Sequence, residues 1–222
     1  MVDMKNNLNV IYEDNHIIVV EKPFNVLSQG DSTKDKDLLT MVKEYLKEKY
    51  NKPGNVYVGL VHRLDRPTGG IMVFAKTSKA AARLSKMIKD RDITKKYLAI
   101  VHGLLKEEKG TLKHYLLKQE DKSVVVNDEK IGKEAILHYK VIKNYNDLSL
   151  LEITLETGRH HQIRVQFNDI GNPLYGDQKY GKQDKKQLAL FAYYLEFTHP
   201  VSKENMSFTL YPKKEGIWKQ FL

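Results

Sequence analysis

One carboxylate, Asp65, stands among cations in the run His62-Arg63-Leu64-Asp65-Arg66. Pro67-Thr68-Gly69-Gly70 and the apolar stretch Ile71 to Ala75 follow, which places the acid where two strands meet. Positive charge on both sides favours the ionised carboxylate, and an ionised aspartate is a competent nucleophile. A second constellation is Thr157-Gly158-Arg159-His160-His161-Gln162-Ile163-Arg164, with five polar recognition residues in the seven positions from Gly158 to Arg164. It follows a strand pattern and opens a helical one, so the first-turn N–H groups and the cationic side chains together suit an anion. Arg164, one turn into that helix, is placed to hold a carboxylate bidentately. A bland alternative has one arginine capping a neighbouring element and the histidines satisfying backbone carbonyls; the density of polar residues favours recognition. A third candidate is Tyr97 in Lys95-Lys96-Tyr97-Leu98-Ala99-Ile100-Val101. Taken alone it reads as a packed edge tyrosine, but beside two lysines its ring can stack on a base and its hydroxyl can take part in proton transfer.

Other chemistries are disfavoured by what the chain lacks. There is no cysteine, hence no disulfide, thiolate zinc site or cysteine nucleophile. Adjacent histidines such as His160 and His161 do not share a helix face, and neither metal-ligand spacings nor GxGxxG and GxxxxGK[ST] signatures occur, so no metal and no cofactor is expected. Lys+Arg number 37 against 28 Asp+Glu, a net charge of +9 that attracts polyanions. Nucleic acid is favoured over membrane, since no stretch approaches the ~20 apolar residues of a span and Met1 to Val10 lacks a signal-peptide core. A cytoplasmic location is expected. The cations Lys79, Arg83 and Lys86 recur on one face of a helix read over Ser78 to Lys89; a solvated face and a nucleic-acid contact are about equally good readings of it.

The positioning elements follow from hydrophobic period. Asn9–Glu13 and His16–Glu21 read as strands around an Asp14-Asn15 turn, and Lys22-Pro23 ends the second. A helix begins after Asp37, with Leu38, Met41, Val42, Tyr45 and Leu46 at helical spacing. Strands are expected at Val56–Leu64, Ile71–Ala75, Lys96–His102, Val124–Val126, Glu134–Lys143, Leu148–Glu156, Gln187–Phe197 and Met206–Tyr211, with Ala81, Leu84 and Ile88 as the core face of the helix from Ser78. Glu107–Asp128 is the most polar segment and suits an exposed hairpin or flexible insertion. A helix carrying Ile163, Phe167 and Ile170 should end at Gly171. Strands outnumber helices without alternating with them, which predicts an α+β class, and 222 residues suit a single domain over 1–222.

The HRLD motif with its trailing Thr-Gly-Gly, the KKY strand ending in His102-Gly103, the TGRHHQIR segment and Gly176-Asp177 within NPLYGDQKYG closely resemble RluA-type RNA pseudouridine synthases, from Val10 to Pro212. The resemblance implies a pseudouridine synthase fold, a mixed, largely antiparallel sheet with flanking helices and a central RNA-binding cleft. It implies isomerisation of chosen uridines in RNA without a cofactor, by base flipping. It further implies that Asp65 is the catalytic aspartate, that Tyr97 stacks on the base and is a candidate general base, and that Arg164 is the basic partner of the aspartate. Arg63 would enter the space left by the extruded uridine; His62 and Arg159 would line the cleft; Leu190 would form an apolar wall under the base, with core packing an equal or better reading. Gly69 stands where many members carry Ser, and Phe191 where many carry His, departures that bear on substrate fit. The S4 RNA-binding domain common in the family is not expected here, which leaves a stand-alone catalytic domain, plausibly monomeric. The partner would be RNA, ribosomal RNA slightly ahead of transfer RNA. A glycosidic hydrolase is the chemically adjacent alternative, but it needs a second carboxylate as general acid, and the three motifs offer none.

Overall fold

The computed structural model describes residues 8–182 and 185–222; most of the N-terminal stretch inspected above for a signal sequence lies outside them. In chain order the elements are β1 (Val10–Glu13), β2 (Ile17–Lys22), α1 (Leu38–Lys49), β3 (Gly59–Leu60), β4 (Gly69–Ala75), α2 (Ser78–Asp90), β5 (Thr94–His102), β6 (Lys109–Lys118), β7 (Ser123–Val126), β8 (Lys133–Tyr145), β9 (Leu148–Leu155), α3 (Gln162–Asp169), β10 (Leu190–Thr198), β11 (Asn205–Thr209) and a short 3₁₀ helix (Gly216–Gln220). This is the α+β class expected. The chain divides into two compact units, the first running through Ile93 and including Tyr194–Leu210, the second comprising Thr94–Tyr193 and Tyr211–Leu222.

In the first unit β2 pairs antiparallel with both β1 and β4, in register from Ile17 opposite Ala75 to Lys22 opposite Gly70. The turn at Asp14 forms because its Oδ1 accepts the N–H groups of His16 (2.7 Å) and Ile17 (2.8 Å), the local competition for backbone donors that makes Asp a turn residue. Every residue of β4 is buried, so it reads as a continuous apolar run. Helix α1 starts where Asp37 accepts from Thr40 N and α2 where Thr77 accepts from Ala80 N, both N-caps that satisfy an otherwise orphan donor. Leu84 is fully buried and Ala81 and Ile88 pack against the same core at its margin, as expected; Ala80, also fully buried, joins that face.

The expected strand Val56–Leu64 is largely replaced by irregular chain, β3 being two residues long. Side chains take over the backbone bonding there. His62 Nε2 accepts from Val73 N (3.1 Å), and the Ser28 hydroxyl both accepts from Leu64 N (3.1 Å) and donates to Leu64 O (2.7 Å). A hydrophobic alternation cannot reveal such substitutions.

The second unit carries an antiparallel sheet in the order β5-β9-β8-β6-β7. The polar segment Glu107–Asp128 forms the β6–β7 hairpin, and it is fixed rather than free: β6 pairs with β8 from Lys109 opposite Lys140 to Leu116 opposite Lys133. Helix α3 runs to Asp169 with Ile170 as its C-cap, and Gly171 takes φ +82°, as a helix-terminating glycine should.

Candidate active site

In the first unit Asp65 sits, half-buried, in the tight turn that feeds β4, where Thr68 N donates to Asp65 O at 3.0 Å. Its neighbours are pinned from both sides. Ser28 holds Leu64 as described, and the Arg66 side chain donates from Nε to Asn25 O (3.2 Å) and pairs through Nη2 with Asp35 (2.7 Å). Lys22, the last residue of β2, is fully buried and donates its three ammonium protons to the carbonyls of Pro23 (3.1 Å), Val26 (2.6 Å) and Arg66 (3.0 Å). Burial pushes the Lys22 pKa down to about 7; the negative charge of Asp65 opposes the shift and the positive charge of Arg66 adds to it. A buried cation thus underlies the Asp65 turn and ties its backbone to the end of β2. Arg63 is exposed, whereas His62 spends its ring nitrogen on Val73.

The basic helix face is partly committed to protein contacts. Arg83 Nη1 donates to Pro200 O at 2.6 Å, Lys86 is ion-paired with Asp90, and Lys79 is exposed.

In the second unit Tyr97 is buried in β5 opposite Ile153 of β9. Arg164, in the first turn of α3, is buried and held bidentately by Asp177, Nε to Oδ2 at 2.8 Å and Nη2 to Oδ1 at 2.7 Å, with the guanidinium lying over the Tyr180 ring at 5.3 Å. Burial alone would raise the Asp177 pKa, but the Arg164 bonds and charge and the N–H groups of Lys179 and Tyr180 outweigh it and hold the carboxyl below the ordinary range. The loop before α3 is shaped by Gln162. Its Oε1 accepts from Arg159 N (3.0 Å) and the Thr157 hydroxyl (2.8 Å), and its Nε2 donates to Ile136 O (3.1 Å). Arg159 Nε donates to Glu134 O at 2.8 Å. His160 and His161 stack at 3.8 Å between centroids and bond through Nδ1 to Ser123 Oγ and Tyr180 OH respectively, a packing arrangement rather than a ligand pair. Leu190 is buried at the start of β10. Asp65 therefore belongs to one unit, and Tyr97, Arg164 and Leu190 to the other.

The sequence pattern of a family described as RNA pseudouridylate synthase matches residues 16–169. The chain belongs to the RNA pseudouridylate synthase family. Similar curated proteins include ribosomal large subunit pseudouridine synthase D of Haemophilus influenzae, 35% identical over 219 residues that cover 90% of this chain and 65% of that protein. Ribosomal large subunit pseudouridine synthase C of Buchnera aphidicola is 34% identical over 220 residues, covering 92% of this chain and 68% of that one. The chain thus spans about two thirds of the length of these relatives. Among solved structures, human RNA pseudouridylate synthase domain containing 4 superposes with a TM-score of 0.79 at 22% identity, over 92% of this chain and 89% of that one. Human RNA pseudouridylate synthase domain containing 1 gives 0.77 at 23% identity, over 96% and 86%. Both share the pseudouridine synthase fold.

Two supporting positions escape a reading of motifs alone. Asp177 belongs to the NPLYGDQKYG segment, whose resemblance names it without giving it a task; the bidentate grip on Arg164 is a long-range contact. Lys22 reads only as a strand end, since a lysine before a proline carries no sign that its ammonium will be buried under a turn 44 residues away. Gly176 does carry a readable signal: it adopts φ +71°, and a Cβ there would lie 2.2 Å from Gln187 O, so only glycine delivers Asp177 to its place. Among the described residues no three His, Asp or Glu side chains are grouped to hold a metal ion, and no helix is long and apolar enough to cross a membrane.

Proposed function

We propose that the protein converts chosen uridines in structured RNA to pseudouridine, ribosomal RNA being preferred to transfer RNA. The observation that carries this reading is the family pattern over residues 16–169, which embraces Asp65, Tyr97 and Arg164. The names of the similar ribosomal synthases support the choice of RNA. In this reaction the C1′–N1 bond breaks, C1′ bonds to C5, the proton on C5 leaves and N1 gains one, so atoms balance with no cofactor. Asp65 attacks the sugar or promotes glycosidic cleavage; its turn, braced by Lys22 and Ser28, keeps the carboxylate in a fixed place, as positioning for such a step demands. Tyr97 stacks on the base and is the candidate base for the C5 proton. Arg164, oriented by Asp177, is the basic residue of the mechanism. Arg63, exposed and planar, suits insertion where the flipped uridine leaves the stack. His62 and Arg159 line the cleft, Leu190 walls the base, and Lys79, Arg83 and Lys86 add contacts to the RNA backbone. The chain works as one catalytic domain, a monomer in the cytoplasm with RNA as its partner.

The test is tritium release from [5-³H]uridine-labelled total RNA of a strain lacking this protein. Release by the wild type and none by Asp65→Asn is the expected result. No release, with RNA binding intact, would support a binding-only protein on the same fold.

A further inference from the structure

Lys95 stands two residues before Tyr97 on β5, and because side chains alternate across a strand the two share one face. Lys96 faces the other way, where its ammonium lies 3.8 Å from Glu152. Lys95 is half-buried, and among the described residues its ammonium has neither a carboxylate nor a carbonyl as hydrogen-bond partner. The carboxylates of the adjoining strands are taken up by other groups: Glu152 by the Tyr193 hydroxyl, Glu156 by His138 Nε2 (2.5 Å) and Glu134 by Lys113 (2.9 Å). Burial pushes the Lys95 ammonium below the ordinary lysine value, and no charge is there to offset the shift.

The ammonium lies beside the turn between β9 and α3. A Cβ added at Gly158 would sit 3.7 Å from Lys95 Nζ, so the ammonium lies next to this glycine, which is itself exposed. The other cations of this turn are anchored: Arg159 Nε to the Glu134 carbonyl and Arg164 to Asp177. Removing an ammonium from water without a partner is costly, and a cation kept this way gains more from an arriving anion than one at the open surface, where water screens it.

We propose that Lys95 is a positioning residue that holds a backbone phosphate of the RNA substrate beside the nucleotide engaged by Tyr97, next to Gly158. The assignment rests on the proposed RNA-modifying function. It adds the point at which the substrate backbone is gripped, and so a determinant of which nucleotide is presented to the tyrosine.

The test measures the affinity of a fluorescein-labelled RNA stem-loop with uridines in the loop, as a function of salt, for the full chain and its Lys95→Met and Lys95→Arg variants. Each phosphate neutralised contributes about 0.7 to the slope of log affinity against log salt for a single strand. The expected result is a slope shallower by about that amount in Lys95→Met, a slope preserved in Lys95→Arg, and a melting temperature in Lys95→Met no lower than that of the wild type. An unchanged slope in Lys95→Met overturns the proposal. So does loss of folding in that variant, because it would mean the lysine holds the fold rather than the substrate. Binding is read without turnover, so RNA that binds through Lys95 but is not isomerised counts against the proposed reaction alone.

Discussion

Asp177 grips Arg164 through both carboxylate oxygens, at 2.8 and 2.7 Å, with both side chains withdrawn from water. Removing one partner strands a buried charge, which in comparable pairs costs about 3–5 kcal/mol. Asp177→Asn should therefore lower the melting temperature clearly. Because the folded-state pKa of Asp177 is depressed, the stability it contributes is full above the ordinary carboxylate pKa and is lost as pH falls through the folded value. Melting of wild type and variant across pH 7 to pH 2 should show the two curves converging on the acid side. Curves that stay parallel would show that the pair does not stabilise the fold.

Lys22 has the same sign of pH dependence in a higher pH window, although its cause is burial of a cation rather than pairing of an anion. Its folded pKa, about 7, lies below the unfolded value of 10.5, so between the two the unfolded chain binds more protons and stability rises with pH. Lys22→Met should abolish that contribution: the wild type gains stability relative to the variant from pH 7 to pH 10. The variant should also be less stable at pH 7, since three carbonyls lose their donor at about 1–3 kcal/mol for each group left unsatisfied. Chemical denaturation at several pH values reads both effects.

Asp65→Asn is nearly isosteric and removes only the charge and nucleophilicity of the side chain. Tritium release should fall to background while the melting temperature and RNA affinity change little. Appreciable turnover by this variant would remove Asp65 from the reaction.

Tyr97→Phe keeps the ring and deletes the hydroxyl. If the hydroxyl takes the C5 proton, RNA affinity should hold while single-turnover conversion drops by about 10²- to 10⁴-fold, the usual worth of general acid–base catalysis. Retained conversion would leave the ring as a stacking platform only.

The sequence by itself determined the class of fold, the helices, most of the strands and the three motifs. These are local properties: the apolar run at β5, helical spacing at α2, Asp37 ahead of α1, and Asp65 between arginines are all written within a few residues. The tertiary structure alone decided which groups secure the motif residues. Lys22 and Arg66 are 44 residues apart and Ser28 and Leu64 are 36 apart, yet each pair is joined by a hydrogen bond. For the same reason the expected strand Val56–Leu64 dissolved into a loop, because His62 and Ser28, rather than a neighbouring strand, satisfy its surroundings. Residue types announce what a side chain is able to do; where its hydrogen bonds go depends on chain brought near by folding, and no local pattern encodes that.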